Sequence, residues 1–345
     1  MADKAGLTLI DAYAVARSGA DVGHPSAILD FEGATAAVGL GFERTPGLTL
    51  SLLEIRNVQG TALKVAESED VTLFRLTLLQ GTSPSPDHGP VGLHVERSGR
   101  VAITGCQVAY AADTGILVSD SHDVALRGNQ PAASGVGLQV RGSERVEIDN
   151  HYARYNALGI LVVGSADVAL FDSDVIGNDG DDSAPAGTLA AAVPPHVGVM
   201  VLASDAVEIH GNTIEDNPTT GVAVVSVEAL VALGLLGGDH GLEFDGYSET
   251  VDIHDNLFMN NGLAPAELFR DVFMLDPMTQ LAWDGVVDGA KDNGDGHLNL
   301  CIRNNGDADF VDFDALGFGA GKSFDLAPHD CAHPPLPPVD VPSGS

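Results

Sequence analysis

The chain has 345 residues, 44% of them hydrophobic, with 41 glycines and a single tryptophan. Forty-nine acidic residues stand against 16 basic ones, a formal charge of -33, which argues against a surface made for nucleic acid or anionic membranes, since both need clustered Lys and Arg. The sequence holds no apolar run long enough to cross a bilayer as a helix.

Residues 1–26 carry no repeat and read as a lead that covers the open end of a repeat array, because a terminal repeat exposes both an edge and a core. Their first residues lack the apolar segment of a secretory signal. A ten-residue frame then recurs seven times: small, apolar, any, apolar, two of any, Ser or Thr, two of any, apolar. It starts at Gly39, Ala62, Gly92, Gly115, Gly137, Gly159 and Gly198, mostly 22 or 23 residues apart, with two longer gaps of 30 and 39. Its hydroxyl is Thr45, Ser68, Ser98, Ser121, Ser143, Ser165 and Ser204, and its last apolar residue runs from Leu48 through Val71, Val101, Val124, Val146 and Val168 to Val207. One such unit cannot bury its apolar face alone, so a fixed period of this size means a stacked array.

Within each unit apolar and polar residues alternate, as in Gly92-Leu-His-Val95 and Val101-Ala-Ile103. A third apolar column lies seven residues past the valine: Ile55, Leu78, Val108, Ala153, Val175, Ile214 and Phe258. Short alternating runs broken by Gly, Ser, Asn and Asp are strands with tight turns. The expected fold is all-β: a right-handed parallel β-helix, a solenoid of about eight coils of about 22 residues, over residues 27–262. With strands about 4.8 Å apart the rod is roughly 38 Å long. Cys106, Asn129, His151, Ser173, Asn212 and Asn256 form one turn column, and Asn156, Asn178, Asn217 and Asn261 another. Both are expected to be hydrogen-bonded ladders along the stack rather than ligand sites.

Insertions at 82–91, 180–196 and 227–247 interrupt the repeat, the last strongly apolar. Insertions on one edge of a repeat protein commonly build its binding face. The outward places of the first strand also change along the rod, from His94, Glu96, Gln139 and Arg141 to Leu161, Val163, Met200, Leu202, Ala223 and Val225. Such an apolar stripe needs cover, either from the 227–247 insertion and the tail or from a partner protein. Residues 263–345 form a C-terminal capping tail, with a short amphipathic helix expected over 266–274 and an extended or disordered Pro-rich end from Pro334 to Pro342. Pairing Cys301 with Cys331 would staple that tail and imply an oxidising compartment, leaving Cys106 buried and free.

Frames such as Gly159-Ile-Leu-Val162 followed by Glu208-Ile-His-Gly-Asn212 or Asp252-Ile-His-Asp-Asn256 resemble the bacterial right-handed parallel β-helix repeat proteins of the pectate-lyase-like superfamily. The resemblance implies the fold and is nearly silent on chemistry. Relatives include polysaccharide lyases, epimerases, hydrolases and proteins without a known reaction. Their better-known catalytic strings are missing here, Pro86-Asp-His-Gly89 being a partial echo of one.

Three constellations are candidates for chemistry. Aligning two late coils places Glu208 beside Asp252 and His210 beside His254 on one outward face, where two carboxylates and two imidazoles suit acid–base work or a divalent metal. Asp87 and His88 sit in the first insertion, near outward His94 and Glu96. Asp288, Asp292 and Asp295 lie in a Gly-rich loop whose oxygen ligands suit calcium, although the spacing is not that of an EF-hand. The expected function is that of an extracytoplasmic protein engaging, and in an enzymatic version processing, a polysaccharide along its groove. The rival is a non-catalytic scaffold that binds another protein through the apolar stripe. At -33 the protein is expected to bind polyuronates poorly without a bridging cation.

Overall fold

In a computed structural model, described over residues 8–10, 27–182, 184–237 and 244–342, the chain winds as a parallel β-helix with three strands per coil. The glycine sheet, named for the small residue that opens the frame, has ten strands from Val38–Glu43 through Thr220–Val225 to Leu281–Trp283 and Phe310–Asp312. The valine sheet also has ten, from Thr8–Ile10 to Cys301–Arg303, and the third sheet has nine three- or four-residue strands ending at Leu257–Met259. The valines stack in register as one inward column, Val71 on Val101, then Val124, Val146, Val168, Val207 and Val251. Together with Leu63, Leu93, Ile116, Leu138, Ile160 and Val199 from the glycine sheet they fill the interior. The lead over 1–26 lies outside the described residues except for Thr8–Ile10, which pairs with Thr49–Ser51.

The frame's glycine is required by close approach. A Cβ at Gly137 would sit 2.6 Å from the carbonyl oxygen of Gly159 and 2.7 Å from Asn156 Nδ2. The hydroxyl in the seventh place accepts the backbone N–H of its counterpart one coil earlier: Thr45 to Ser68, Ser68 to Ser98, and onward to Ser204. The residue before it, Glu67, Arg97, Asp120 or Ala203 among others, is held at positive φ, a conformation that costs a non-glycine residue energy and that the ladder bonds offset. The asparagine columns work in the same way. Asn178 N–H and Nδ2 both donate to Asn217 Oδ1, and Asn217 does the same to Asn261. Amides bonded on every side in this manner are structural, as expected. The ladder fails at His151, whose two ring nitrogens are buried without partners and which has no oxygen to receive the Asn129 N–H.

The tail does more than cap. Residues 281–283, 301–303 and 310–312 extend two of the sheets by further rungs, and a disulfide joins Cys301 to Cys331 while Cys106 stays buried and free. The helix expected over 266–274 is one wide turn, Leu268–Val272.

A second apolar cluster lies outside the coils. Helix α1 (Leu189–Ala192) and helix α2 (Val227–Ala232) cover the outer face of the late glycine-sheet strands, together with Phe269, Phe273, Leu275 and Phe313. Leu161, Val163, Met200, Leu202, Ala223 and Val225 are thereby buried at 5% exposure or less. The stripe is satisfied within the chain, and the scaffold reading loses the surface on which it rested. Ser226 caps α2 by accepting the Ala229 N–H at 3.0 Å, and its own N–H and hydroxyl both reach Asp284 Oδ2 at 2.6 Å. Burial holds the Asp284 carboxyl up at about 6 against these bonds.

Candidate functional site

The third and fifth places of each frame point out of the glycine sheet, and parallel register lines them up along the rod. One column reads Lys64, His94, Leu117, Gln139, Leu161; its neighbour reads Ala66, Glu96, Ser119, Arg141, Val163. The polar stretch ends where the apolar lid begins, between Arg141 and Val163. At that boundary lies a cleft of about 740 Å³, floored by Leu117, Gln139 and Arg141, bordered by Asp113, and overhung by Thr188, α1 and Leu235–Gly237. A smaller cleft of about 450 Å³, lined by Gly41, Glu43, Lys64, Glu96 and Arg97, lies at the other end of the polar stretch. The four steps from the Val38 strand to the Val136 strand span about 19 Å.

The polar groups along this face are held in definite states. Lys64 Nζ is 2.7 Å from Glu96 Oε2, and His94 Nε2 is 2.9 Å from Ser119 Oγ. Burial and the Lys64 ammonium push the His94 imidazole down to about 4, so it is neutral at pH 7. Burial pushes the Asp113 carboxyl up to about 6, although the Thr188 and Thr114 hydroxyls favour its charged form; its Oδ1 has no hydrogen-bond partner. The Gln139 side chain is fixed by Thr114 Oγ1 at 3.2 Å. Among the described lysines and arginines, Arg141 alone has no ion pair, hydrogen bond or ring contact for its side chain. The other thirteen are each engaged. In a chain with three times as many acids as bases, an uncommitted guanidinium facing a cleft is free to take a ligand's anionic or hydroxyl oxygens.

The structure treats the sequence-derived candidates differently. Glu208, His210, Asp252 and His254 do come together: His254 Nε2 is 3.2 Å from Glu208 Oε1, and the His210 and His254 rings stack at 5.1 Å. They do not form an open site. Glu208 and Asp252 are buried because the C-terminal segment lies over them, the Leu336 N–H donating to Glu208 Oε2 and the His333 N–H to Asp252 Oδ2. His88 turns back onto the rod, Nδ1 at 3.1 Å from the carbonyl oxygen of Tyr110 in the next coil, and its ring packs against Gly81, where no Cβ would fit. Among the described residues no hydrogen bond or ion pair links Asp87 or His88 to His94 or Glu96. Asp288, Asp292 and Asp295 turn their carboxylates onto N–H groups of their own loop, those of Ala290, Gly296, His297 and Asn299. No group of three or more His, Cys, Asp or Glu side chains placed to hold a metal is assembled among the described residues. Asp113 and Thr188 escaped the sequence reading because neither falls on a repeated column. Arg141 was visible as an outward residue, but its lack of a partner was not.

A family described as right handed beta helix region matches residues 91–270. This is more than half of the chain, which belongs to that family. In structure the chain is similar to a periplasmic alginate epimerase, with 17% identity and a TM-score of 0.49 over 65% of this chain and 46% of that one. It is also similar to the A-module of a mannuronan C-5 epimerase from Azotobacter vinelandii, with 12% identity and a TM-score of 0.37 over 81% of this chain and 83% of that one. A third similar structure is a mutant tailspike protein of an E. coli bacteriophage in complex with a pentasaccharide, with 13% identity and a TM-score of 0.43 over 81% and 51%. The chain spans about half the length of the alginate epimerases it matches. No curated protein sequence matches it. No helix among the described residues is long and apolar enough to cross a membrane.

Proposed function

We propose that the protein binds a polysaccharide along the outer face of its glycine sheet, with the cleft around Arg141 as the principal subsite. The observation that carries this reading is the uncommitted Arg141 guanidinium in a 740 Å³ cleft that also holds the half-buried Asp113 carboxyl. Sugar rings present hydroxyls and, in uronates, carboxylates. Arg141 is suited to the carboxylates and Gln139, Ser119 and Lys64 to the hydroxyls, while Leu117 and the alanines of α1 offer apolar area. Asp113 exchanges its proton near pH 6, so it is the cleft's candidate for a general acid or base if the bound glycan is also processed. The Cys301–Cys331 bridge favours a place outside the cytoplasm.

Arg141 also revises the expectation for acidic glycans. It supplies a local positive site within an otherwise repulsive field, so polyuronate binding at low salt should depend on it. A charge-assisted hydrogen bond contributes about 1.5–3 kcal/mol, or roughly ten- to a hundred-fold in affinity. The test is titration of polygalacturonate and a neutral glucan, in chelator and at low ionic strength, against the wild type and Arg141→Ala. A selective tenfold or greater loss for polygalacturonate supports the reading. Equal binding by both proteins, or no binding to any glycan tried, rejects it.

A further inference from the structure

The Pro-rich end is ordered against the valine sheet, and its pattern is that of a ligand. Residues 331–342 read Cys-Ala-His-Pro-Pro-Leu-Pro-Pro-Val-Asp-Val-Pro. His333, Leu336 and Val339 are half-buried, whereas Pro334, Pro335, Pro337 and Pro338 between them are exposed. This is a period of three, that of a polyproline II helix. Proline carries no N–H, so from 333 to 339 the only backbone donors are those three, one per turn. All three reach carboxylates: His333 to Asp252 at 3.1 Å, Leu336 to Glu208 at 3.0 Å and Val339 to Glu147 at 3.0 Å.

The acceptors belong to a single outward column of the valine sheet, which runs Ala102, Ala125, Glu147, Ala169, Glu208, Asp252, Cys301. Alanines alternate with carboxylates over its middle and leave room for a chain to lie along the rod. The segment is rooted on the same column by the Cys301–Cys331 bridge, and its far end is placed by an ion pair from Arg100 to Asp340. One polyproline turn advances about 9.3 Å and two coils about 9.6 Å. The step from Glu208 to Glu147 is two coils, so pitch and sheet agree there; the step from Asp252 to Glu208 is one coil.

We infer that this face is a recognition site for extended proline-rich peptide, with the protein's own tail as its resident, displaceable occupant. Recognition is through main-chain N–H groups and a column of carboxylates one and two coils apart, so it selects for conformation and for a non-proline residue at every third place rather than for particular side chains. The occupant it fits is a segment with that spacing. The tether at Cys331 gives the resident copy a high effective concentration, so an outside peptide competes only when the tail is weakened.

The experiment is a titration of labelled peptide of residues 333–342 into two full-length proteins, the wild type and the fourfold variant P334G, P335G, P337G, P338G, which keeps the chain but removes the preformed turn. The variant is expected to bind the peptide at least tenfold more tightly than the wild type, and adding Glu147→Ala and Glu208→Ala to it should remove that binding. Equal binding to wild type and variant, or none to a folded variant, overturns the inference. Amide hydrogen exchange on the wild type is an independent arm that does not rely on the variant folding. Slow exchange at Leu336 and Val339, lost in Glu147→Ala with Glu208→Ala, supports the inference, and exchange there as fast as in the free peptide overturns it.

Discussion

The glycine-sheet face and the valine-sheet face are built from the same coils, yet one is open from Lys64 to Arg141 and the other is closed beneath residues 333–340. Both carry acidic groups and histidines in outward columns, and in the sequence the valine face was the better-looking site. The difference lies in which unbonded groups are also left uncovered. On the valine face Glu208, Asp252 and Glu147 use acceptor capacity on tail N–H groups, and Asp252 also meets Arg303 at 3.2 Å. On the glycine face the Arg141 guanidinium is exposed and has no side-chain partner among the described residues, whereas Asp113 Oδ1 is unbonded just as Asp252 Oδ1 is beneath the tail. Repetition generates columns of like residues on every face of a solenoid; bonding capacity that is both unused and uncovered distinguishes a site from a repeat.

The largest effect is expected from Phe273→Ala, which empties the lid over the late glycine-sheet strands where Phe269, Phe273 and Phe313 pack ring to ring. A loss of about 3–5 kcal/mol is expected in denaturant unfolding; a loss below about 1 kcal/mol would mean that the lid is not a second core. Asn217→Ala removes a ladder amide that donates to Asn261 and Val175 and accepts from Asn178. It should cost about 2–3 kcal/mol, and because the ladder lies at the turn between the third sheet and the glycine sheet it should loosen the glycine face first.

Sharper tests separate the faces. Glu208→Ala should release amide protection at Leu336 while glycan affinity at the cleft stays within about twofold, as independent sites require. On the cleft side, Asp113 is neutral below about pH 6 and negative above it. Affinity for an acidic glycan should therefore fall as pH rises through 6, and Asp113→Asn should flatten that dependence. A wild-type affinity that does not change between about pH 5 and pH 7 would remove Asp113 from the site. The smallest effect at neutral pH is expected from His151→Asn, which restores an acceptor for Asn129 and should stabilise by about 1 kcal/mol. Burial holds the His151 imidazole down at about 3, below its ordinary value of 6.5. The unfolded chain thus takes up a proton that the folded chain refuses, and stability is lost as pH falls from 6.5 toward 3. The advantage of the asparagine variant should widen over that range in thermal melts.

Much of this architecture was legible before any coordinates. The frame from Gly39 to Val207 specified the strands, their inward columns and the ladders, because a repeat protein is nearly one-dimensional and each coil meets only copies of itself. The disulfide agreed with the positions of Cys301 and Cys331 on either side of the tail loop, and cover for the stripe from Leu161 to Val225 was anticipated from apolar segments in the same chain. The tail was less well read: residues 281–283 and 310–312 continue the solenoid without the frame, since a three-residue strand carries too little pattern to be seen.

The sequence by itself determined which residues stack on which, because period and alternation are local properties that parallel register copies from coil to coil. Only the tertiary structure decided which outward groups remained free. Whether Glu208 is open or covered depends on Leu336, which lies 128 residues away, and whether the stripe needs a partner depends on Phe273 and α2. Those contacts come from segments outside the repeat, and no periodicity in the chain specifies where such segments come to rest.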